Sequence, residues 1–126
     1  MPTKMIEKGL DEIKQGEIDS AIITFKEVVK LFPKHSLGYF YLANLYSIKD
    51  EKNNAIKSYT NAWKFSNDLQ AHFKNIPSQT LFILLSMDTP PKDHVEKWVK
   101  RAKEFYEEYP LRDKLMIEFA QRIMNH

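Results

Sequence analysis

At 126 residues, with 43% hydrophobic and 13% aromatic side chains, the chain can bury one core and is too short for two ordinary domains. A count of 19 Lys and Arg against 17 Asp and Glu leaves a net charge of only +2, so the pI near 8.7 does not imply a polyanion-binding surface. Without cysteine there is no disulfide framework and no thiolate zinc site, a composition that both reducing and oxidising compartments tolerate and that is read here as cytoplasmic.

In chain order, the opening residues MPTKMIEKGLDEIKQ mix charge with apolar side chains and do not read as a signal peptide. Met5, Ile6, Leu10 and Ile13 recur at three- and four-residue spacing, which predicts a first helix ending near Gln15 and Gly16. Asp19 or Ser20 is expected to start a second helix, with Ile18, Ala21, Ile22, Phe25, Val28, Val29 and Phe32 as its buried stripe and Pro33 marking its end. The stretch from Ser36 to Phe65 reads as two amphipathic helices joined by a polar link. Tyr39, Leu42, Ala43 and Tyr46 form one face, and Ala55, Tyr59 and Ala62 form the other.

Beyond that pair, Asn67 supplies no stop signal, so the fourth helix is expected either to run on through Leu69, Phe73 and Ile76 or to be followed by a short extra helix. Further helices are expected over about Ser78–Met87 and Pro91–Tyr109, with Thr89, Pro90 and Pro91 suited to a helix start. Pro110 separates a tail helix, Arg112–Met124, that keeps Leu115, Met116, Phe119, Ala120 and Ile123 on one side as a cap would. The longest aliphatic run, Leu81–Leu85, is far below the roughly 20 residues that cross a bilayer, so no membrane partner is expected and the protein reads as soluble.

The four N-terminal helices carry an internal repeat. A shift of 34 residues superimposes Ala21 on Ala55, Ile22 on Ile56, Phe25 on Tyr59, Val28 on Ala62 and Leu31 on Phe65. It also brings Met5 onto Tyr39, Ile6 onto Phe40, Gly9 onto Ala43 and Gly16 onto Asp50. With Gly9, Gly16, Ala21, Phe25 and Pro33 in the first unit, and Tyr39, Leu42, Ala43, Tyr46, Ala55, Tyr59 and Ala62 in the second, the chain resembles the tetratricopeptide repeat family. Departures are visible. Lys8 and Glu12 stand where the second unit has Leu42 and Tyr46, which predicts a thinner packing face for the first helix. Past Pro77 the 34-residue register fails, and a shift of 40 places Val95, Val99, Ala102 and Phe105 under Ala55, Tyr59, Ala62 and Phe65.

The resemblance implies an all-α, single-domain superhelical stack of antiparallel helix pairs, an α-solenoid of about seven helices. Its units would span about 2–35, 36–69 and, in degenerate form, 77–110, with a capping helix over 111–125. Alternation of the strand type is absent.

Catalytic chemistry finds no foothold in the sequence. No two of His35, His72, His94 and His126 lie at the i,i+4 spacing that puts two imidazoles on one helix face, and they read as surface residues rather than metal ligands. Asp68, Asp88 and Asp93 sit beside helix boundaries, where a carboxylate caps exposed backbone N–H groups. There is no Gly-rich phosphate loop, no nucleophile elbow and no HExxH, so the chain is read as a non-enzyme without catalytic residues, metal or cofactor. Lys97, Lys100, Arg101 and Lys103 alternate with Glu96, Glu104, Glu107 and Glu108, the pattern of a solvated helix face, and Trp63 and Trp98 read as core anchors; nucleic acid is not an expected partner.

The family's concave groove would be lined by the first helix of each unit. The matching positions are Ile6, Leu10 and Ile13, then Leu37, Phe40, Asn44, Ser47 and Ile48, an apolar set for a solvated surface. Of the residues with which carboxylate-clamp members of the family grip a peptide C-terminus, only Asn44 is present. Leu10 holds the equivalent place in the first unit, and Phe40 stands where a lysine is wanted. The expected function is therefore a scaffold or adaptor that binds a peptide or partner helix in an apolar groove. The alternative is a self-associating structural subunit, a homo-oligomer built through the same surface; a secretion-type or co-chaperone role ranks behind both.

Overall fold

In the computed structural model, residues 2–66 and 72–125 are described, and they are helical with no strand among them. Seven α-helices follow in order: α1 (Thr3–Lys14), α2 (Ile18–Leu31), α3 (Ser36–Ile48), α4 (Lys52–Lys64), α5 (Asn75–Leu85), α6 (Lys92–Lys103) and α7 (Leu111–Met124), with a 3₁₀ turn at Tyr106–Glu108. The chain divides into two compact units, Met1–Gln70 and Ala71–His126. α4 ends at Lys64, with Phe65 already out of helical conformation, so it does not run on unbroken to Phe73, which lies in a turn, or to Ile76, which belongs to α5; Leu69, the stop position Asn67, the carboxylate Asp68 and the C-terminal His126 lie outside the described residues.

In the first unit α1 packs on α2, α2 on α3 and α3 on α4. Two of its connections are the same turn repeated 34 residues apart. α1 ends at Lys14, and Gly16 adopts a left-handed φ of 78° while its N–H reaches the Ile13 carbonyl and the Glu17 N–H reaches that of Glu12, at 2.9 and 2.8 Å. α3 ends in the same way: Asp50 takes φ 58°, its N–H bonds to Ser47 O and the Glu51 N–H bonds to Tyr46 O, at 3.0 and 2.9 Å. This doubled bonding satisfies carbonyls that a helix end otherwise leaves open. Glycine takes the left-handed position at no steric cost, whereas the aspartate at the equivalent place carries some strain. Glu17 and Glu51 then begin α2 and α4, so the second helix starts at Ile18, ahead of the expected Asp19 or Ser20; Glu17 makes no side-chain capping bond.

Small residues set the helix spacing. A methyl group built on Gly9 would lie 2.5 Å from the edge of the Phe25 ring, so α1 meets α2 through a position that only hydrogen fits. In the following pair Ala43 and Tyr59 occupy the corresponding positions, both fully buried. Gly38 repeats the device between α2 and α3, where an added methyl would meet Val28 and Val29 side-chain carbons at 2.9 and 3.2 Å. Ala21, Phe25, Val28, Ala55 and Ala62 complete the buried stripe as the period predicts, while Ile18, Val29, Phe32 and Tyr39 are half-buried. The Tyr39 ring stacks at 6.0 Å on Phe65 and its hydroxyl donates to Pro33 O at 2.8 Å. The thinner face foreseen for α1 is compensated: Glu12 accepts a hydrogen bond from the Thr24 hydroxyl, so a carboxylate on the packed side has a partner.

The second unit is three helices, with α5, α6 and α7 in mutual contact. Its core is Ile76, Leu81, Leu84, Val95, Trp98, Val99, Ala102, Tyr109, Ile117 and Ala120. Val95, Val99 and Ala102 thus fall inside as the 40-residue shift predicts, and Phe105 is half-buried with its ring edge-on to Phe73 at 5.7 Å. Three expectations are corrected here. α5 begins at Asn75, ahead of Ser78, because Pro77 sits in the first turn, where its missing N–H costs no helical bond. α6 does not run to Tyr109. It stops at Lys103, its bonds tighten to the i→i+3 type at Glu104 and Phe105, and Tyr109 is extended (φ −83°, ψ 149°) ahead of Pro110. Tyr109 also turns inward, its hydroxyl donating to the Lys74 carbonyl at the start of α5. Finally, α7 buries Ile117 and Ala120, while Leu115 and Phe119, expected on its packed side, are exposed.

Candidate functional site

The eight positions expected to line a groove separate by depth. Leu10 is 37% exposed, Ile48 is 64% exposed, Ser47 is exposed, and Ile13 and Leu37 are half-buried. Ile6 and Phe40, by contrast, are buried, Phe40 with only 3% of its surface accessible. Neither faces outward as expected. Each lies three residues before a buried small residue of its helix, Gly9 or Ala43, and therefore on the same helical side, which faces the core. Phe40 sits with its ring edge-on to Tyr59 at 6.2 Å and to Tyr41 at 5.8 Å. α3 has neighbours on two sides, α2 and α4, so more of its circumference is covered than a single stripe suggests: Gly38, Phe40 and Leu45 are buried along with Leu42, Ala43 and Tyr46.

Asn44 is half-buried and its side-chain carbonyl accepts a hydrogen bond from the Tyr59 hydroxyl. Burial pushes the Tyr59 hydroxyl pKa well above the ordinary tyrosine value, which extends further into alkali the range in which it donates to Asn44. One of the two polar groups of the Asn44 amide is thus committed within the fold. The contrast with the first unit is chemical as well as geometric. Phe25 has no hydroxyl, and the place of Asn44 is taken by Leu10. The pairs Leu10 and Phe25, and Asn44 and Tyr59, are each internally consistent, since a tyrosine hydroxyl beside leucine would be left without a partner.

Apolar surface also lies outside the expected positions. Ile23 and Leu31 on α2, Phe82 on α5 and Leu111, Leu115 and Phe119 on α7 are all exposed. The last three recur every four residues along one side of α7, a signal present in the sequence. Leu115 and Phe119 share this exposed side because the core of the second unit takes Ile117 and Ala120 instead.

The basic run on α6 takes the form of a solvated face. Lys97, Lys100 and Lys103 are exposed, and the Arg101 guanidinium lies 4.5 Å from the centre of the Trp98 ring, which is itself in the core. Trp63 is half-buried. Among the described residues no three His, Cys, Asp or Glu side chains are grouped so as to hold a metal ion, and no helix is long and apolar enough to cross a membrane. Comparison with protein-family models gives no match, and comparison with the curated proteins gives none either.

Proposed function

We propose that the protein is a tetratricopeptide-like interaction module without catalytic activity, which binds a protein or peptide through the first unit, on the surface formed by Leu10, Ile13, Leu37, Ser47 and Ile48. One observation carries this reading. The two helix pairs of the first unit repeat the same turn at an interval of 34 residues and bury a small residue and an aromatic one at equivalent positions, Gly9 and Phe25, then Ala43 and Tyr59, while leaving Leu10 and Ile48 exposed. Repeated helix pairs generate extended surfaces suited to binding chains, and exposed aliphatic side chains favour a partner with apolar anchors. Ile6 and Phe40, being buried, are left out of this surface, and the Asn44 side-chain carbonyl is engaged by the Tyr59 hydroxyl. In this reading the partner is a protein rather than nucleic acid or membrane, and the setting is cytoplasmic.

The test uses Leu10→Lys combined with Ile48→Glu, changes on exposed positions that leave the core intact. Purified protein, immobilised and exposed to extract of the source cells, should retain specific proteins that the double variant loses by tenfold or more, with helical circular dichroism and Tm unchanged. Equal retention by both forms removes this surface from consideration. A second reading, self-association through the same exposed Leu10 and Ile48, is separated by light scattering over a dilution series. A constant monomer mass rules it out; a mass that falls on dilution, and that the double variant lowers further, favours it.

A further inference from the structure

We draw no further inference here: the strongest candidate, the exposed row Leu111, Leu115 and Phe119 along the outer side of α7, is an unpartnered apolar face, and nothing in the structure shows what covers it.

Discussion

Gly9→Ala is the most direct probe of how the first unit is packed. In a helix interior this change ordinarily stabilises by about 0.5–1 kcal/mol, because alanine loses less backbone freedom on folding. Here the new methyl would meet Phe25 ring carbons at 2.5 and 2.7 Å, and that ring is fully buried. Relief requires α1 to move away from α2, an overpacking cost of about 1–3 kcal/mol. The net expectation is a loss of up to about 2.5 kcal/mol, seen as a lower urea midpoint at unchanged slope. Amide hydrogen exchange across α1–α4 should assign the loss to the first unit. Phe25→Leu alone should also destabilise, by about 1–2 kcal/mol through the cavity it leaves. Combined with Gly9→Ala, it should cost less than the sum of the two by at least about 0.5 kcal/mol, since the methyl enters the space the ring vacates. A Gly9→Ala variant more stable than the parent, or a double variant showing plain additivity, would refute the close approach of α1 and α2.

Other consequences are open to the same kind of measurement. Tyr59→Ala should lose about 3–5 kcal/mol by urea unfolding, because it empties a buried aromatic site; a loss below about 1 kcal/mol would mean the packing scheme is misassigned. Asn44→Leu should cost about 1–3 kcal/mol by leaving the Tyr59 hydroxyl without its acceptor, and adding Tyr59→Phe, which copies the Leu10 and Phe25 arrangement, should recover most of that loss. Failure of the second change to rescue the first would show that the two side chains are not coupled. Asp50→Gly should raise stability by about 0.5–1 kcal/mol by relieving the left-handed backbone at φ 58°, readable as a higher Tm; a lower Tm would argue against that conformation.

Stability should also fall in strong alkali. The buried Tyr109 hydroxyl is pushed up to about 12, chiefly by its removal from water, whereas in the unfolded chain it ionises near 10. The contribution is complete below about pH 10 and is lost as pH rises towards 12, by about 2 kcal/mol at most, because only the unfolded form gives up its proton in that window. Burial raises the Tyr59 pKa in the same direction. Unfolding midpoints measured across this range should drop less steeply for Tyr109→Phe than for the parent; parallel curves would contradict the burial of that hydroxyl.

Several features follow from local sequence alone, for physical reasons that need no tertiary information. Apolar side chains at helical period, glycine or aspartate at the turn, and prolines near helix boundaries are short-range signals. They placed α1 to α4 within a few residues and identified Ala21, Phe25, Ala55, Tyr59 and Ala62 as core. The 34-residue self-similarity predicted that Gly16 and Asp50 would play one role, and both adopt the left-handed conformation in identically bonded turns.

Only tertiary packing decided how much of each helix is covered. The family resemblance places Phe40 and Ile6 on an outward groove, but both are buried: Gly9 admits α2 close to α1, and α3 is flanked by both α2 and α4. Asn44 looks like a free polar contact until Tyr59, 15 residues further on, places a hydroxyl against it. The end of α6 was likewise invisible locally, because Tyr109 is held by the Lys74 carbonyl 35 residues earlier. Periodicity reports which side of a helix can be buried; the neighbours that arrive, and how closely the small residues admit them, determine which side chains are left for a partner.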